Sequence, residues 1–235
     1  MLTRFANPVM LAAALMLVAP AANALKPGSG GGKSNSSAWE TERIYNNWGK
    51  HKIVFSRSFF RMDDPIRDFS IVTSGPDWIV YYFSDKKKII YSTPITRLRR
   101  SFSERMGLLT GGRDQDPTHW QKVGKAKLLG QEFDHYRLAK DKSGAPLRRV
   151  SFCELFTASM KVEPQVSKMF ANLFDSPDMG SIPIRMLTGT QRSHLHMDTL
   201  SIKTTVVSPA MRAIPKGYKK VPNAEAVMFE DPSFF

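Results

Sequence analysis

Short runs of β-branched and aromatic residues, separated by turn-forming residues, make up most of the chain from about residue 39 onward. Runs of this kind predict β-strands, because branched and aromatic side chains fit a pleated, packed surface. We expect strands at residues 42–46, 52–62, 66–73, 78–83, 88–92, 118–129, 131–139, 147–156, 182–188 and 193–207. The pattern therefore predicts a mainly β domain.

The strongest strand signal lies at residues 78–92. Residues 78–83 (WIVYYF) are large at every position, residues 84–87 (SDKK) are turn-forming, and residues 88–92 (KIIYS) return to the strand pattern. Large residues at every position indicate that both faces of a strand pack against other parts of the protein. We expect an antiparallel hairpin at the centre of the sheet.

Two segments have helical rather than strand periodicity. The first, 93–110, begins with Thr93-Pro94, an N-cap residue before a proline, and its apolar residues recur at helical spacing. In the second, 164–174, Val166, Met169, Phe170 and Leu173 fall on one face of a helix. A curved antiparallel sheet would bury both stripes if these amphipathic helices lay on its concave face. The expected fold class is therefore mainly β, of the α+β type.

The amino-terminal 24 residues have the pattern of a signal peptide. Arg4 precedes the short apolar run 10–19, and Ala22-Asn23-Ala24 has the small residues that signal peptidase recognises. We expect cleavage after Ala24 and a periplasmic or secreted protein. Residues 25–38 are rich in Gly and Ser and are expected to form a flexible tether, which leaves 39–235 as one domain.

Charge and cysteine content narrow the choice of partners. The formal net charge is +13, and removal of Arg4 with the signal would leave 13 − 1 = +12. So basic an exported protein favours anionic partners such as a membrane surface, and nucleic acid is not expected. Cys153 is the only cysteine, which excludes an intramolecular disulfide, and its apolar surroundings predict a small core residue.

Two stretches resemble the LolA–LolB lipoprotein-carrier superfamily, in particular an exported, uncharacterised branch of it. One is residues 54–93, where VFSRSFFRMDD is followed by FSIVTSGPDWIVYYFSDKKKIIYST, and the other is residues 211–218, MRAIPKGY. The resemblance implies an unclosed β-barrel covered by helices that carries acyl chains. It also implies an arginine on an early strand that holds the cover closed; by position this is Arg57, with Arg61 as the competing choice.

The expected ligand site is an apolar cavity between sheet and helices. Its predicted ligand-binding residues are Phe55, Arg57, Phe59, Trp78, Val80, Tyr82, Phe102, Met106, Met169, Phe170 and Phe174. The function expected from this is non-enzymatic binding of a lipid, an acyl chain or a lipoprotein by a monomer. The alternative is a structural or sensory interaction domain of the cell envelope, in which the same aromatic residues fill the core.

An enzyme is the third possibility, and it depends on the strand expected at 193–207. His194, His196 and Asp198 alternate with Leu195, Met197 and Thr199 there, and two imidazoles at this spacing can share a metal ion. This would suit a metal-dependent hydrolase. The simpler interpretation places them on a solvated face. The chain contains no G-x-S-x-G, P-loop or dinucleotide-binding motif, and we assign no catalytic residue, metal or cofactor.

Overall fold

Twelve strands in one sheet form most of the described molecule. The computed structural model describes residues 37–45, 49–98, 116–140, 143–145, 152–189 and 194–229, so the expected signal peptide and residues 25–36 of the tether lie outside it. The strands are β1 (Ser37–Tyr45), β2 (Gly49–Ser56), β3 (Phe59–Asp64), β4 (Phe69–Ser74), β5 (Ile79–Ser84), β6 (Ile89–Pro94), β7 (Trp120–Leu128), β8 (Gln131–Leu138), β9 (Phe152–Ala158), β10 (Ile182–Gly189), β11 (His194–Val206) and β12 (Lys219–Lys220).

The order of strands in the sheet is β12-β6-β5-β4-β3-β2-β1-β11-β10-β9-β8-β7. Strands β1–β6 form one antiparallel meander and β7–β11 a second, and the antiparallel pairing of β1 with β11 joins them. Within the described sheet, only the short β12 runs parallel to its neighbour, β6. The two ends of this order, β12 and β7, do not pair with each other, so the predicted unclosed sheet is confirmed.

The helix predicted at 164–174 is confirmed as α1 (Pro164–Phe174). Proline stands in its first turn, and Asp175 ends it with a left-handed backbone (φ 47°). Two one-turn helices follow, α2 (Pro209–Arg212) and α3 (Glu225–Met228). Among the described residues, no helix is both long enough and apolar enough to cross a membrane.

The sheet curves around α1. This helix contacts β3 and β10, which are four strand spacings apart in the sheet order. In a flat sheet four spacings would measure about 19 Å, whereas a helix with its side chains is only about 10–12 Å wide. Contact with both strands agrees with a curved sheet that has α1 on its concave face. The buried face of α1 and residues of β2–β5 and β8–β11 form one apolar core.

A second, smaller apolar cluster lies on the opposite face of the sheet. Its members are Ala38, Val54, Phe59, Val72, Phe83 and Val207. The segment after β11 covers them, with Met211, Ile214 and Tyr218 packed against the cluster. Several strands of the first meander are therefore buried on both faces, which explains their nearly continuous apolar sequences.

Three predictions about individual elements differ from the structure. Residues 52–62 form two strands instead of one, since β2 and β3 are a hairpin with Arg57-Ser58 as its turn. The expected helix at 93–110 begins as the end of β6 followed by a 3₁₀ turn at Ile95–Arg97, and residues 99–110 lie outside the described residues. The strand β1 begins at Ser37, so 37–38 belong to the sheet rather than to the tether.

The hairpin at 78–92 is antiparallel, as expected, but it is not central. Strand β6 has only the two-residue β12 beyond it in the described sheet. The prediction equated apolar faces with a central position in the sheet. Here one face of the hairpin packs against the main core and the other packs against the segment after β11. Both faces can therefore be buried whatever the number of neighbouring strands.

The packing of α1 predicts a large effect of truncating Phe170. This side chain is fully buried, and its ring contacts Phe55 and Phe60 edge-on with centroids 5.1 Å away in each case. We expect Phe170→Ala to lower the free energy of unfolding by about 3–5 kcal/mol, the usual cost of an aromatic core truncation. Urea unfolding followed by tryptophan fluorescence measures it.

The matched control is Lys168→Ala, on the exposed face of the same helix. It should change the free energy of unfolding by no more than about 0.5 kcal/mol. Equal effects of the two variants would show that α1 does not close the core.

Candidate functional site

The apolar part of the predicted ligand site is largely assembled in the main core. The sheet contributes residues from β2 and β5, α1 contributes its buried face, and all of them belong to one cluster. The predicted residues found together there are Phe55, Trp78, Val80, Tyr82, Met169, Phe170 and Phe174.

Two of the other predicted site residues, Phe59 and Arg57, are not brought to this core. Phe59 lies on the opposite face of the sheet, where the guanidinium carbon of Arg212 stands 4.8 Å from its ring centroid. Phe102 and Met106 lie outside the described residues. Arg57 is exposed in the β2–β3 turn. The prediction of a single strand had assigned Phe59 and Arg57 to the face that meets the core. The turn between β2 and β3 changes the position of both residues.

Neither of the two arginines considered from the family resemblance points into the core. Only the backbone of Arg57 meets α1, since its carbonyl oxygen accepts a hydrogen bond from the amide of Glu163 at 2.8 Å. Arg61 pairs with Asp63 and donates to the carbonyl oxygen of Met211, on the face opposite to α1. The structure therefore gives no support to either residue as a latch inside the core.

A different arginine, Arg43 of β1, is buried beneath α1. Its exposed fraction is 0%. Its Nε donates to Thr41 Oγ1 at 3.1 Å and one terminal nitrogen donates to the carbonyl oxygen of Pro183 at 2.5 Å. The guanidinium carbon lies 4.6 Å from the ring centroid of Phe170 and 5.8 Å from that of Phe174. The positive charge is thus held between the sheet and two aromatic rings of the covering helix.

The charge of Arg43 lacks a close counterion. Among the described residues no carboxylate lies within ion-pair distance of it, and its second terminal nitrogen has no hydrogen-bond partner. Burial lowers the pKa of Arg43 to about 9, against a smaller opposing effect of the more distant Asp198. The side chain therefore stays positive at neutral pH, and it has a donor free for an anion.

Arg43 was not predicted as a site residue, because the strand predicted at 42–46 begins too late to show which residues share its face. It lies in β1 on the same face as Trp39, Thr41 and Tyr45, and the last two are buried. The sequence pattern that indicates its position is an arginine on the same strand face as two aromatic residues. It could have been found by extending the strand predicted at 42–46 toward Trp39 and asking which face meets the core.

His51 lies directly across from Arg43 in the register of β1 and β2, at the same end of the core. Its Nδ1 is 3.7 Å from Asp64 Oδ2, and Asp64 in turn accepts hydrogen bonds from the backbone amide and the guanidinium of Arg67. Burial lowers the pKa of His51 to about 4; Asp64 opposes this change and Arg67 adds to it. His51 is therefore a neutral imidazole at pH 7.

His196, expected on a solvated strand face, does not join Asp198 in a metal site. His196 is buried, its Nε2 lies 3.1 Å from the carbonyl oxygen of Phe174, and its ring packs edge-on against Tyr45. Asp198 instead forms a two-bond ion pair with Arg185, at 2.8 Å for each bond. Within the described residues, no three His, Cys, Asp or Glu side chains gather as metal ligands would.

A β-bulge is the reason that the prediction for His196 is wrong. Met186 pairs with Met197 and Leu187 with Leu195, so His196 is an extra residue on β11. A bulge interrupts the alternation of faces, and as a result His196 and Met197 are both buried.

Cys153 packs against the main core as a partly buried residue of β9.

The site as a whole is an aromatic core with a polar end. The helix α1 begins at the β2–β3 turn and ends where the carbonyl of Phe174 meets His196, near Tyr45. Arg43 lies under its last two turns. Such an arrangement can contact an apolar chain along the aromatic residues and an anionic group at the guanidinium.

The burial of His51 predicts a specific dependence of stability on pH. The folded-state pKa of about 4 is below the ordinary 6.5, so between these values the unfolded chain binds a proton that the folded protein does not. The stability contributed by His51 is complete above pH 6.5 and is lost as pH falls toward 4. The loss should reach about 3 kcal/mol, from the size of this shift.

Urea unfolding at several pH values between these limits, on wild type and His51→Gln, measures this contribution. The variant should lose less stability on acidification, because its side chain takes up no proton in either state. Parallel curves for the two proteins would show that His51 is not the responsible group.

Comparison with known proteins gives no functional assignment. No protein-family model and no curated protein matches the chain. Among solved structures, the chain is similar to an uncharacterized conserved protein from Thermus thermophilus, with a TM-score of 0.44 and 12% identity over 79% of this chain and 90% of that one. A likeness this distant carries no inference about function.

Proposed function

We propose that this protein binds an amphiphilic anion, a fatty acid or an anionic lipid, between α1 and the concave face of the sheet. The observation that carries the proposal is Arg43, a fully buried arginine that has no carboxylate partner among the described residues and has one free donor nitrogen. This function agrees with the envelope lipid carrier expected from the sequence.

The electrostatics of Arg43 favour an anionic ligand. An isolated buried charge is costly, and the present partners of Arg43 are a hydroxyl, a carbonyl, a thioether and two aromatic faces. A carboxylate or phosphate group would supply the missing countercharge. It would also accept two parallel hydrogen bonds from the planar guanidinium, a geometry that lysine does not offer.

The aromatic core suits the apolar part of the same ligand. Phe170 and Phe174 lie between Arg43 and the other aromatic residues, so a chain entering beside them would extend from the charge into the apolar cluster. A shift of α1 would open this route. The helix meets the rest of the protein mainly through side chains, and the described backbone bonds to its two ends come from Arg57 and from the turn that follows it.

An interaction domain with a filled core is the second candidate. The close edge-on contacts of Phe170 with Phe55 and Phe60 favour it, because such contacts are typical of permanent cores. In that case Arg43 would only fix the position of α1, and added fatty acids would not be retained.

Native mass spectrometry of the full chain with oleate and with its uncharged methyl ester separates these candidates. We expect one equivalent of oleate to be retained, and the ester to bind at least about tenfold more weakly, since the anion contributes a charge-assisted pair. Arg43→Met should lower oleate retention by about tenfold or more and leave binding of the ester unchanged.

Arg57→Met is the matched control, because it removes the same charge from an exposed turn. It should retain oleate like wild type. Thermal unfolding should show that Arg43→Met is folded, with equal or higher stability, because it removes an uncompensated buried charge. No retention by wild type, or equal retention by both variants and wild type, would overturn the proposal.

A further inference from the structure

Five exposed lysines come together at one edge of the sheet. Two lie in the turn between β5 and β6, and three lie on or just before β12, about 130 residues later in the chain. We call them the basic edge: Lys86, Lys88, Lys216, Lys219 and Lys220.

Backbone pairing and a side-chain cluster fix the basic edge in place. Strand β12 pairs with β6, and the amide of Lys219 donates to the carbonyl oxygen of Lys88 at 2.9 Å. The hydroxyl of Tyr218 donates to Asp85 and accepts from Lys88 Nζ, and the Lys88 ammonium also lies 5.1 Å from the Tyr218 ring centroid. The lysines therefore lie on an ordered surface rather than on a tail.

Positive charge exceeds negative charge at the basic edge. In the part of the chain that the structure describes, none of the five lysines forms an ion pair with a carboxylate. Asp85 and Asp68 lie nearby and accept hydrogen bonds from Tyr218, Ser84 and the Lys86 amide, neutral donors that leave their negative charge in place. Among the described residues of this edge, the five lysines outnumber these two aspartates and Glu225 of α3.

Several lysines elsewhere in the described sheet are paired. Lys52 and Lys203 both contact Glu40, at 3.1 and 3.0 Å. On the opposite edge, in β7, Lys122 pairs with Asp134 and Lys125 with Glu132. These four lysines therefore differ from those of the basic edge, none of which has a carboxylate partner among the described residues.

We propose that the basic edge docks the protein on an anionic phospholipid bilayer. Lysine is a compact, hydrated charge on a flexible stem, which suits a diffuse layer of headgroup charge better than a single bidentate partner. Each lysine held near an anionic leaflet strengthens binding by about fivefold, and the effect fades over a Debye length of about 8 Å. This inference does not require Arg43 to bind lipid, and the two proposals can fail separately.

The test is co-sedimentation of the full chain with phosphatidylcholine vesicles, with and without phosphatidylglycerol. We expect binding only to the vesicles that contain phosphatidylglycerol at about 10 mM salt, and its loss at about 1 M salt, where the Debye length falls to about 3 Å. The triple variant Lys86→Gln, Lys219→Gln, Lys220→Gln should bind about a hundredfold more weakly. Lys87 is left unchanged because its Nζ caps α3 by donating to the carbonyls of Val227 and Phe229.

The matched control is the triple variant Lys122→Gln, Lys125→Gln, Lys127→Gln in β7. It removes the same total charge from the opposite edge of the sheet and should bind within about threefold of wild type, since those positions lie away from the docked surface. Thermal unfolding checks that both variants fold. Oleate retention by the basic-edge variant should equal that of wild type, which keeps docking distinct from ligand binding.

Three results would overturn the proposal. One is equal weakening by both triple variants, which would mean a general effect of net charge. Another is equal binding to vesicles with and without phosphatidylglycerol. The third is no vesicle binding by wild type, and in that case binding of polyglutamate that the basic-edge variant loses would indicate an acidic protein as the partner instead.

Discussion

The pairing of β1 with β11 is the contact on which the rest of the described fold depends. It is the one place in the described sheet where the two meanders meet, and its register runs from Ser37 opposite Val206 to Tyr45 opposite Met197. Each meander is built from local hairpins, whereas this pair joins segments about 150 residues apart, so its loop-closure entropy must be offset by the long ladder and by the core that it completes. Without it, β3 and β10 would not face each other across α1.

The same pairing buries the positive charge of Arg43 in an apolar core. It places Arg43 opposite Thr199 in β11 and next to His51 in β2, with α1 closing over it. A sequence that only needed a stable core would have an apolar residue there, since a filled apolar site is usually at least as stable as a buried charge. Departures from local consistency of this kind are found mainly at functional sites. The buried charge of Arg43 is therefore the observation on which the proposal of an anionic ligand rests.

The segment after β11 organises the other charged feature of the protein. Residues 207–218 cover the outer apolar cluster, β12 pairs with β6, and α3 then places Val227 and Met228 in the main core. The chain thus passes around the edge of the sheet from one face to the other. Strand β12 pairs with Ile89 and Ile90, two of the six residues of β6, and so protects that part of the edge strand from pairing with another chain. It also brings Lys219 and Lys220 beside the β5–β6 turn.

The sequence by itself determined the secondary structure wherever one period was clear. The spacing and proline of 164–174 defined α1, and the alternating runs defined β7, β8, β10 and β11 closely, because local propensity and burial agree in these segments. A mainly β architecture with a helix on the concave face of a curved sheet also followed from the pattern, and the family resemblance implied that the sheet is unclosed. Met169, Phe170 and Phe174, which meet in the main core as expected, lie in α1, an element that the sequence pattern assigned correctly.

Tertiary structure alone decided the features that break a period or join distant segments. The turn at Arg57 was hidden because the strands on either side of it are apolar on both faces, and the bulge at His196 moved that residue into the core against its alternation. The isolation of Arg43 depends on β11 and α1, more than 100 residues away, and the basic edge depends on a parallel pairing of only two residues. Local sequence sets the conformation of each segment, but which charges lack partners is a property of contacts between segments, and no local pattern encodes it.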